Sequence, residues 1–227
     1  MSYLTLCQKA VYETSIGGSG PTTVVGQNGQ LGNMVVWVRE AWVNIQLMRP
    51  NWLFMHKEFT FNTVIDQRDY VAADMSITDL KLWDSNSFLI HDPDLGYTDQ
   101  GFIVYQNYSD WRRSNRVQME ARASDRPQSF TILPSNAIRF EPKPNKIYTI
   151  EGEYKKSTQH FSLDADEPTG LGEDFEMMIV WLALTYYAHK QNAPEVLEQA
   201  QTKFADLLFR FEIEQLPEFS DDFAPLA

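Results

Sequence analysis

The chain has 227 residues, 43% of them hydrophobic, which is enough for one or two globular domains and excludes a disordered chain. Its 31 acidic and 19 basic residues give a formal net charge of −12, so we expect no wrapping of nucleic acid and no binding to an anionic membrane. The one cysteine, Cys7, excludes an intrachain disulfide. Because residues 1–10 lack a basic segment followed by an apolar one, we expect no secretory signal.

The N-terminal segment predicts a short helix followed by a loop. Ser2 can cap a helix from Tyr3 to about Glu13, with apolar residues along one side. Residues 15–29 are rich in Gly, Ser and Thr. They lack the lysine and the preceding strand of a phosphate-binding loop, so we interpret them as an ordinary loop.

Three further helices are predicted where apolar residues recur every three or four positions. The first runs from Gln30 to Arg49, and the second, from Asp174 to Lys190, is apolar over most of its circumference. A helix of that kind must be buried on several sides, so these two are natural packing partners. The third is amphipathic and runs from Ala193 to about Gln215. Its inner side consists of Leu197, Phe204, Leu208 and Phe211.

Between residues 53 and 156 the hydrophobic period changes to two, which indicates strands. The clearest are Met55–Ile65 and Ile147–Tyr154, where polar and apolar side chains alternate. The other candidates are Ser87–His91, Phe102–Tyr105, Val117–Arg122, Phe130–Leu133 and Ile138–Phe140. One helical turn is predicted at residues 107–113. Short strands separated by tight turns predict an antiparallel sandwich or barrel.

The predicted fold class is therefore α+β, with a central antiparallel β-rich domain inserted between helices from both chain ends. We expect the N- and C-terminal helices to form one helical bundle from residues 1–52 and 172–216. The inserted β-rich domain would comprise residues 53–171, and residues 217–227 would form an acidic C-terminal tail.

No group of residues predicts a catalytic centre, a cofactor site or a metal site. The four histidines lack the spacing that places two ligands on one helix face, and no Gly-x-Ser-x-Gly element is present. Asp92, Asp94 and Asp99 resemble part of a calcium loop, but Ile103 stands where the chelating glutamate is required. A pair of carboxylates distant in sequence, as in glycosidases, stays an open alternative. We expect a non-enzymatic protein without a cofactor.

An arginine cluster stands out in this acidic chain. It consists of Arg112, Arg113, Arg116, Arg122 and Arg126. One hypothesis makes it a basic patch for an acidic partner surface or for DNA phosphate. The other places the arginines on solvated strand edges, paired with Asp110, Glu120 and Asp125, and the local alternation of charges favours this second hypothesis.

Three groups of segments carry a family resemblance. The first is the opening SYLTLCQKAVYETSIGGSGPTTVVGQNGQLGNMVVWVREAWVNIQLMRPNWLFM. The second is RPQSFTILPSNAIRFEPKPNKIYTIEGEYKK, with an Arg-Pro strand, a Phe-x-Pro-x-Pro turn and a strand ending in Gly-Glu-Tyr. The third is APEV at the start of the last helix and QLPE after it. In this order they resemble the head-to-tail adaptor proteins, also called neck or connector proteins, of tailed bacteriophages.

This resemblance implies a structural protein of the virion neck that is made in the cytoplasm of the bacterial host. Such adaptors form homo-oligomeric rings, typically dodecamers, beneath the portal protein. They extend the DNA channel and provide the docking surface for the tail tube or nozzle protein. DNA would pass through without sequence-specific binding, since acidic channel walls do not hold phosphate, and no membrane contact is implied.

Within this resemblance we predict two contact regions. The portal contact consists of Phe211, Glu212, Glu214, Leu216, Pro217, Glu218 and Phe219. The arginine cluster is assigned to contacts between subunits or with the tail. Alternatives stay open: a tail-terminator or nozzle ring subunit, a small phage cell-wall hydrolase, and a carbohydrate-binding module that would use Trp83 and Trp111.

Overall fold

The computed structural model describes residues 1–14, 20–115 and 123–216. The chain folds as two compact units, a helical unit (Met1–Met55 with Thr158–Ala227) and a β unit (His56–Ser157). The α-helices of the described residues are α1 (Tyr3–Glu13), α2 (Gly29–Met48), α3 (Tyr108–Asn115), α4 (Met177–Gln191) and α5 (Pro194–Gln215). The strands are β1 (His56–Asn62), β2 (Asp69–Tyr70), β3 (Leu80–Trp83), β4 (Leu89–His91), β5 (Gly101–Phe102), β6 (Val104–Tyr105), β7 (Ser129–Ile132), β8 (Ile138–Glu141) and β9 (Thr149–Lys156).

The helical unit contains α1, α2, α4 and α5, which pack around a shared hydrophobic core. Local sequence explains where these helices begin. The Ser2 hydroxyl accepts a hydrogen bond from the Thr5 amide (3.3 Å) and so caps α1. Pro194, whose missing N–H is not needed there, occupies the first turn of α5. α4 is the central element, because nine of its side chains are buried, which agrees with its apolar circumference.

Residues 158–171, which the sequence analysis groups with the β-rich segment, pack in the helical unit. Phe161 stacks between Tyr3 and Trp42, at ring-centroid distances of 4.9 and 5.9 Å. Gln159 accepts a hydrogen bond from the Trp42 indole N–H (3.1 Å). Its backbone carbonyl also accepts one from Gln46 Nε2 (3.0 Å), so the return segment is fixed to α2 by both polar and aromatic contacts.

The β unit consists of two sheets. Sheet A has the strand order β1-β9-β4-β5, with β3 also paired to β9, and sheet B has the order β2-β8-β7-β6. β9 is the centre of sheet A, in register with β1 from His56↔Lys155 to Asn62↔Thr149. The two sheets share one aromatic core, in which the rings of Phe88 and Phe130 stack at 4.2 Å. The prediction of a mixed fold with antiparallel sheets is confirmed, although one pair, β6–β7, is parallel.

One extended segment, Gly101–Tyr105, belongs to both sheets. Its first part, β5, pairs with β4, and its second part, β6, pairs with β7. The Ile103 amide donates to the Phe88 carbonyl, and the next amide, of Val104, donates to the Gln128 carbonyl, both at 3.0 Å. Adjacent amides of a strand point to opposite sides, so this segment closes the two sheets at one edge and gives the unit a barrel-like corner.

The remaining differences from the sequence analysis concern short elements. β2 and β3 were not expected, because β2 has only two residues and the burial pattern of β3 does not alternate, since Lys81 and Leu82 are both exposed. α3 is a helix of eight residues where one turn was predicted. The predicted strand Val117–Arg122 lies outside the described residues. Within the described part of the chain, no helix combines the length and the apolar character that crossing a bilayer requires.

Candidate interaction surfaces

The end of α5 carries the predicted portal contact, and its first residue is part of the core. Phe211 is fully buried. Its ring lies 4.8 Å from that of Trp52, 5.6 Å from Phe54 and 5.0 Å from Phe175. Phe211 therefore anchors the helix and offers no surface to a partner, contrary to the prediction.

The next predicted contacts are partly engaged within the chain. Glu212 forms an ion pair with Arg49 at 2.7 Å, and Leu216 is half-buried, whereas Glu214 is exposed. Between them, Gln215 Oε1 accepts a hydrogen bond from the Phe54 amide at 3.1 Å. Pro217, Glu218 and Phe219 lie outside the described residues.

Two apolar residues of α5 that sequence analysis did not select are strongly exposed. Phe209 is 64% exposed and Ile213 is 70% exposed. They are four residues apart, so they lie on one side of the helix, one turn from each other. Their exposure could have been predicted from the sequence, because neither residue belongs to the inner stripe that contains Phe204, Leu208 and Phe211.

Arg126, the last residue of the arginine cluster, is engaged inside the β unit. Its guanidinium contacts both carboxylate oxygens of Asp99 at 2.8 Å. It also donates to the carbonyls of Ile90 (3.1 Å) and Asp99 (2.8 Å). This pairing holds the pKa of the Asp99 carboxyl below its ordinary value.

Arg112 and Arg113, by contrast, are exposed on α3. The only described ion pair of Arg113 is a loose one with Asp110 (3.7 Å), and its side chain stays 82% exposed. Trp111, on the same helix, is buried and lies against the Arg139 guanidinium of β8, 5.2 Å from its ring centroid. α3 therefore covers sheet B and holds two cationic side chains toward solvent. Arg116 and Arg122 lie outside the described residues.

Two of the three aspartates that resembled a calcium loop, Asp92 and Asp99, are paired with cations of the chain. Asp92 accepts a hydrogen bond from Lys146 and one from the Asp94 amide, and the pKa of Asp92 is lowered by these two bonds. Asp99 is paired with Arg126 as described above. Among residues 1–14, 20–115 and 123–216, no three His, Cys, Asp or Glu side chains come together in a way that fits a metal ion.

The outer face of sheet A carries a row of glutamates. Glu58 of β1 lies directly opposite Glu153 of β9. Glu151 precedes Glu153 by two residues and lies on the same side of β9. In the described part of the chain, no ion pair includes any of these three carboxylates. Exposed aromatic side chains border the row, namely Tyr97 (72% exposed) and Phe102 (75% exposed).

The two tryptophans considered for carbohydrate binding are both buried. Trp83 is 7% exposed and donates its indole N–H to the Asn136 carbonyl at 2.9 Å. Trp111, a residue of α3, is buried against Arg139 of sheet B, as described above. Stacking on a sugar requires an accessible ring face, so neither tryptophan supports the carbohydrate-binding alternative.

Comparison with protein families decides the assignment. The family model described as SU10 adaptor protein matches residues 1–220. The chain belongs to the SU10 adaptor protein family. A comparison with curated proteins gave no significant match.

Membership of the SU10 adaptor family confirms the resemblance to phage head-to-tail adaptors that the three groups of sequence segments showed. The protein is a phage adaptor, and thus a structural component of the virion. The match spans both compact units, so the family pattern includes the helical unit and the β unit together.

Proposed function

We propose that the protein is the head-to-tail adaptor of its phage and forms a homo-oligomeric ring, dodecameric as is usual for such adaptors, below the portal. The ring extends the DNA channel without sequence-specific binding and docks the tail tube or nozzle. The observation that carries this proposal is the family match over residues 1–220. The net charge of −12 supports it, because acidic walls let DNA slide. We propose that the protein has no catalytic activity.

For the architecture, we propose that the two compact units act as separate domains. In this proposal the helices of both chain ends form a single bundle, and the strands form the inserted domain. The shared core of α1, α2, α4 and α5 supports the first part. The separate aromatic core of the β unit supports the second.

We place the portal contact on the exposed side of the α5 end. Phe209, Ile213, Glu214 and Leu216 form its described part, and Pro217, Glu218 and Phe219 continue it in the sequence. Phe211, buried among three aromatic rings, fixes the direction of the helix that presents this surface. Exposed aromatic and aliphatic side chains at such a surface are typical anchors of a protein interface.

The test is co-sedimentation of purified protein with portal rings. Phe209→Ser/Ile213→Ser should abolish binding, while the free energy of unfolding changes by only about 0.5 kcal/mol because both side chains are already exposed. The matched control is Tyr12→Ser on α1, where the ring is 81% exposed and portal binding should be unchanged.

A deletion of residues 212–227 should also abolish binding, but it removes the Glu212–Arg49 ion pair and the Gln215–Phe54 hydrogen bond as well. The double point variant is therefore the decisive one. Full co-sedimentation of Phe209→Ser/Ile213→Ser with portal rings would refute the portal contact.

A further inference from the structure

The outer face of sheet A combines apolar and aromatic side chains with unpaired negative charge. The register places Leu89 of β4 directly opposite Glu151 on one side and directly opposite Phe102 on the other. Directly opposite residues point to the same face of a sheet, so all three share the outer face. The Tyr97 hydroxyl lies 3.4 Å from Glu151 Oε1, which brings a second exposed aromatic ring to the same place.

The charge on this face is unusual for the β unit. Glu58 and Glu153 are cross-strand neighbours, and like charges in that position are destabilising. Most other described acids of the unit are paired with a cation of the same chain. These pairs are Asp66–Lys143, Asp69–Arg139, Asp79–Lys57, Asp92–Lys146, Asp99–Arg126 and Glu141–Arg68. The three glutamates thus form a negative surface without an ion pair among the described residues, and the cation on the same side of β9 is Lys155, two residues after Glu153.

The complementary charge lies on α3 of the same unit. Arg112 and Arg113 are exposed there, and Arg113 has only the loose contact with Asp110. α3 covers the outer face of sheet B, because Trp111 contacts Arg139, whose cross-strand neighbour is Thr131. Phe130 and Phe140, which alternate with Thr131 and Arg139, point into the core between the sheets.

The two surfaces therefore point away from each other. Sheets A and B pack through their inner faces, so the glutamate face and the arginines of α3 lie on opposite sides of one β unit. A single copy cannot bring them together without unfolding. Two copies can do so, and the contact then joins one face to a different face, which is the head-to-tail type that generates rings.

We propose that α3 of one copy docks on the outer face of sheet A of the next copy. Arg112 and Arg113 contact the carboxylates of Glu58, Glu151 and Glu153, and the rings of Tyr97 and Phe102 pack against the guanidinium planes. This contact rests on the proposed ring and names the surfaces that join its subunits. It also gives the exposed arginines a partner that differs from the local acids and from DNA.

The experiment is a charge swap, measured by sedimentation velocity of the purified chain and by assembly on portal rings. Arg112→Glu/Arg113→Glu should weaken self-association about tenfold or more, and so should Glu151→Lys/Glu153→Lys. A chain with all four changes should regain the association of the wild type, because attraction is restored with the signs exchanged. Mixing the two double variants should restore it as well.

The matched control is Lys190→Glu/Lys203→Glu, which makes the same change of charge at exposed positions of the helical unit and should leave association unchanged. A second measurement uses cysteine cross-linking. Cys7 is the only cysteine and is buried, so Arg113→Cys with Glu153→Cys should give disulfide-linked ladders upon oxidation, whereas each single cysteine should not.

The outcomes separate this contact from the ring itself. Rings that form normally with Arg112→Glu/Arg113→Glu would overturn the contact and leave the proposed function standing. Loss of association in both double variants without rescue in the four-fold variant would also overturn it. A wild-type chain that stays monomeric alone and on portal rings would overturn the ring, and the contact with it.

Discussion

The helical unit and the β unit differ most in how they carry charge. The helical unit holds 16 acidic and 6 basic residues, a formal charge of −10, whereas the β unit holds 15 and 13, a charge of −2. Seven ion pairs are described within the β unit and three within the helical unit. The acidity of the whole chain is thus a property of one unit, and the other uses its charges in specific pairs.

The cores of the two units differ as well. Among the described residues, 8 of the 27 buried core residues of the helical unit are aromatic. In the β unit the share is higher, with 9 aromatic residues among 15. If the two units are separate domains, a change in one core should leave the stability of the other unchanged.

The largest effect is expected for truncation of a core aromatic residue. Trp42→Ala removes the contact with Phe161 and the hydrogen bond to Gln159. It should lower the free energy of unfolding of the helical unit by about 3–5 kcal/mol. Chemical denaturation followed by circular dichroism and by hydrogen exchange of each unit measures the effect.

The matched variant in the other unit is Phe130→Ala, which removes the stacking on Phe88. It should destabilise the β unit by a similar amount, again about 3–5 kcal/mol. Each variant should shift only the transition of its own unit. A common shift of both transitions in either variant would show that the two units unfold as one, and the proposal of separate domains would fail.

An intermediate effect is expected from a methyl group added at Gly152. A Cβ there would lie 2.9 Å from two ring atoms of Phe59, which is itself packed against Trp83 and Phe88. Gly152→Ala should therefore destabilise the β unit by about 1–3 kcal/mol through overpacking. Gly101→Ala is the control, because its Cβ would meet only Arg126 Nη2 at 3.9 Å. Equal stability of the two variants would contradict the tight contact.

The smallest effect, and the one that depends on pH, concerns Arg126. Because Arg126 lowers the pKa of the folded-state Asp99 carboxyl, the stabilisation is present above about pH 4 and is lost as the pH falls through the lower folded-state value. Arg126→Met should therefore be less stable than the wild type at neutral pH, with the difference shrinking in acid. Arg113→Met, at a loosely paired position, should show no such trend.

Urea denaturation at several pH values tests this prediction. Part of the difference should persist in acid, because Arg126 also donates to the Ile90 and Asp99 carbonyls, which do not titrate. A difference that stays constant between neutral pH and pH 3 would contradict a role for the Asp99 charge.

The long helices could be predicted from the sequence because their signals are local. Ser2 caps α1 at the predicted residue, and α5 begins at Pro194, one residue after the predicted start at Ala193. The periodicity of α5 correctly predicted that Phe211 lies in the core. That prediction conflicts with the assignment of Phe211 to the portal contact. β2 could not be predicted from two residues, and β3 could not be predicted because its buried and exposed residues do not alternate.

The interaction surfaces were less predictable because they depend on residues distant in sequence. Arg126 looked like a member of a local cluster, but Asp99, 27 residues earlier, binds it. Glu58 and Glu153 are separated by 95 positions, and only the register of β1 on β9 makes them neighbours. Alternation predicted that these glutamates share a face within each strand, but no local pattern shows which strands pair.

The segment Gly101–Tyr105, hydrogen-bonded to both sheets, has a mechanical consequence. Sliding of one layer over the other would require rupture of its bonds to β4 or to β7. The β unit should therefore resist shear and transmit a load from one outer surface to the opposite one. In a ring of such units, tension applied at one subunit would pass to the next through the hydrogen bonds of this segment.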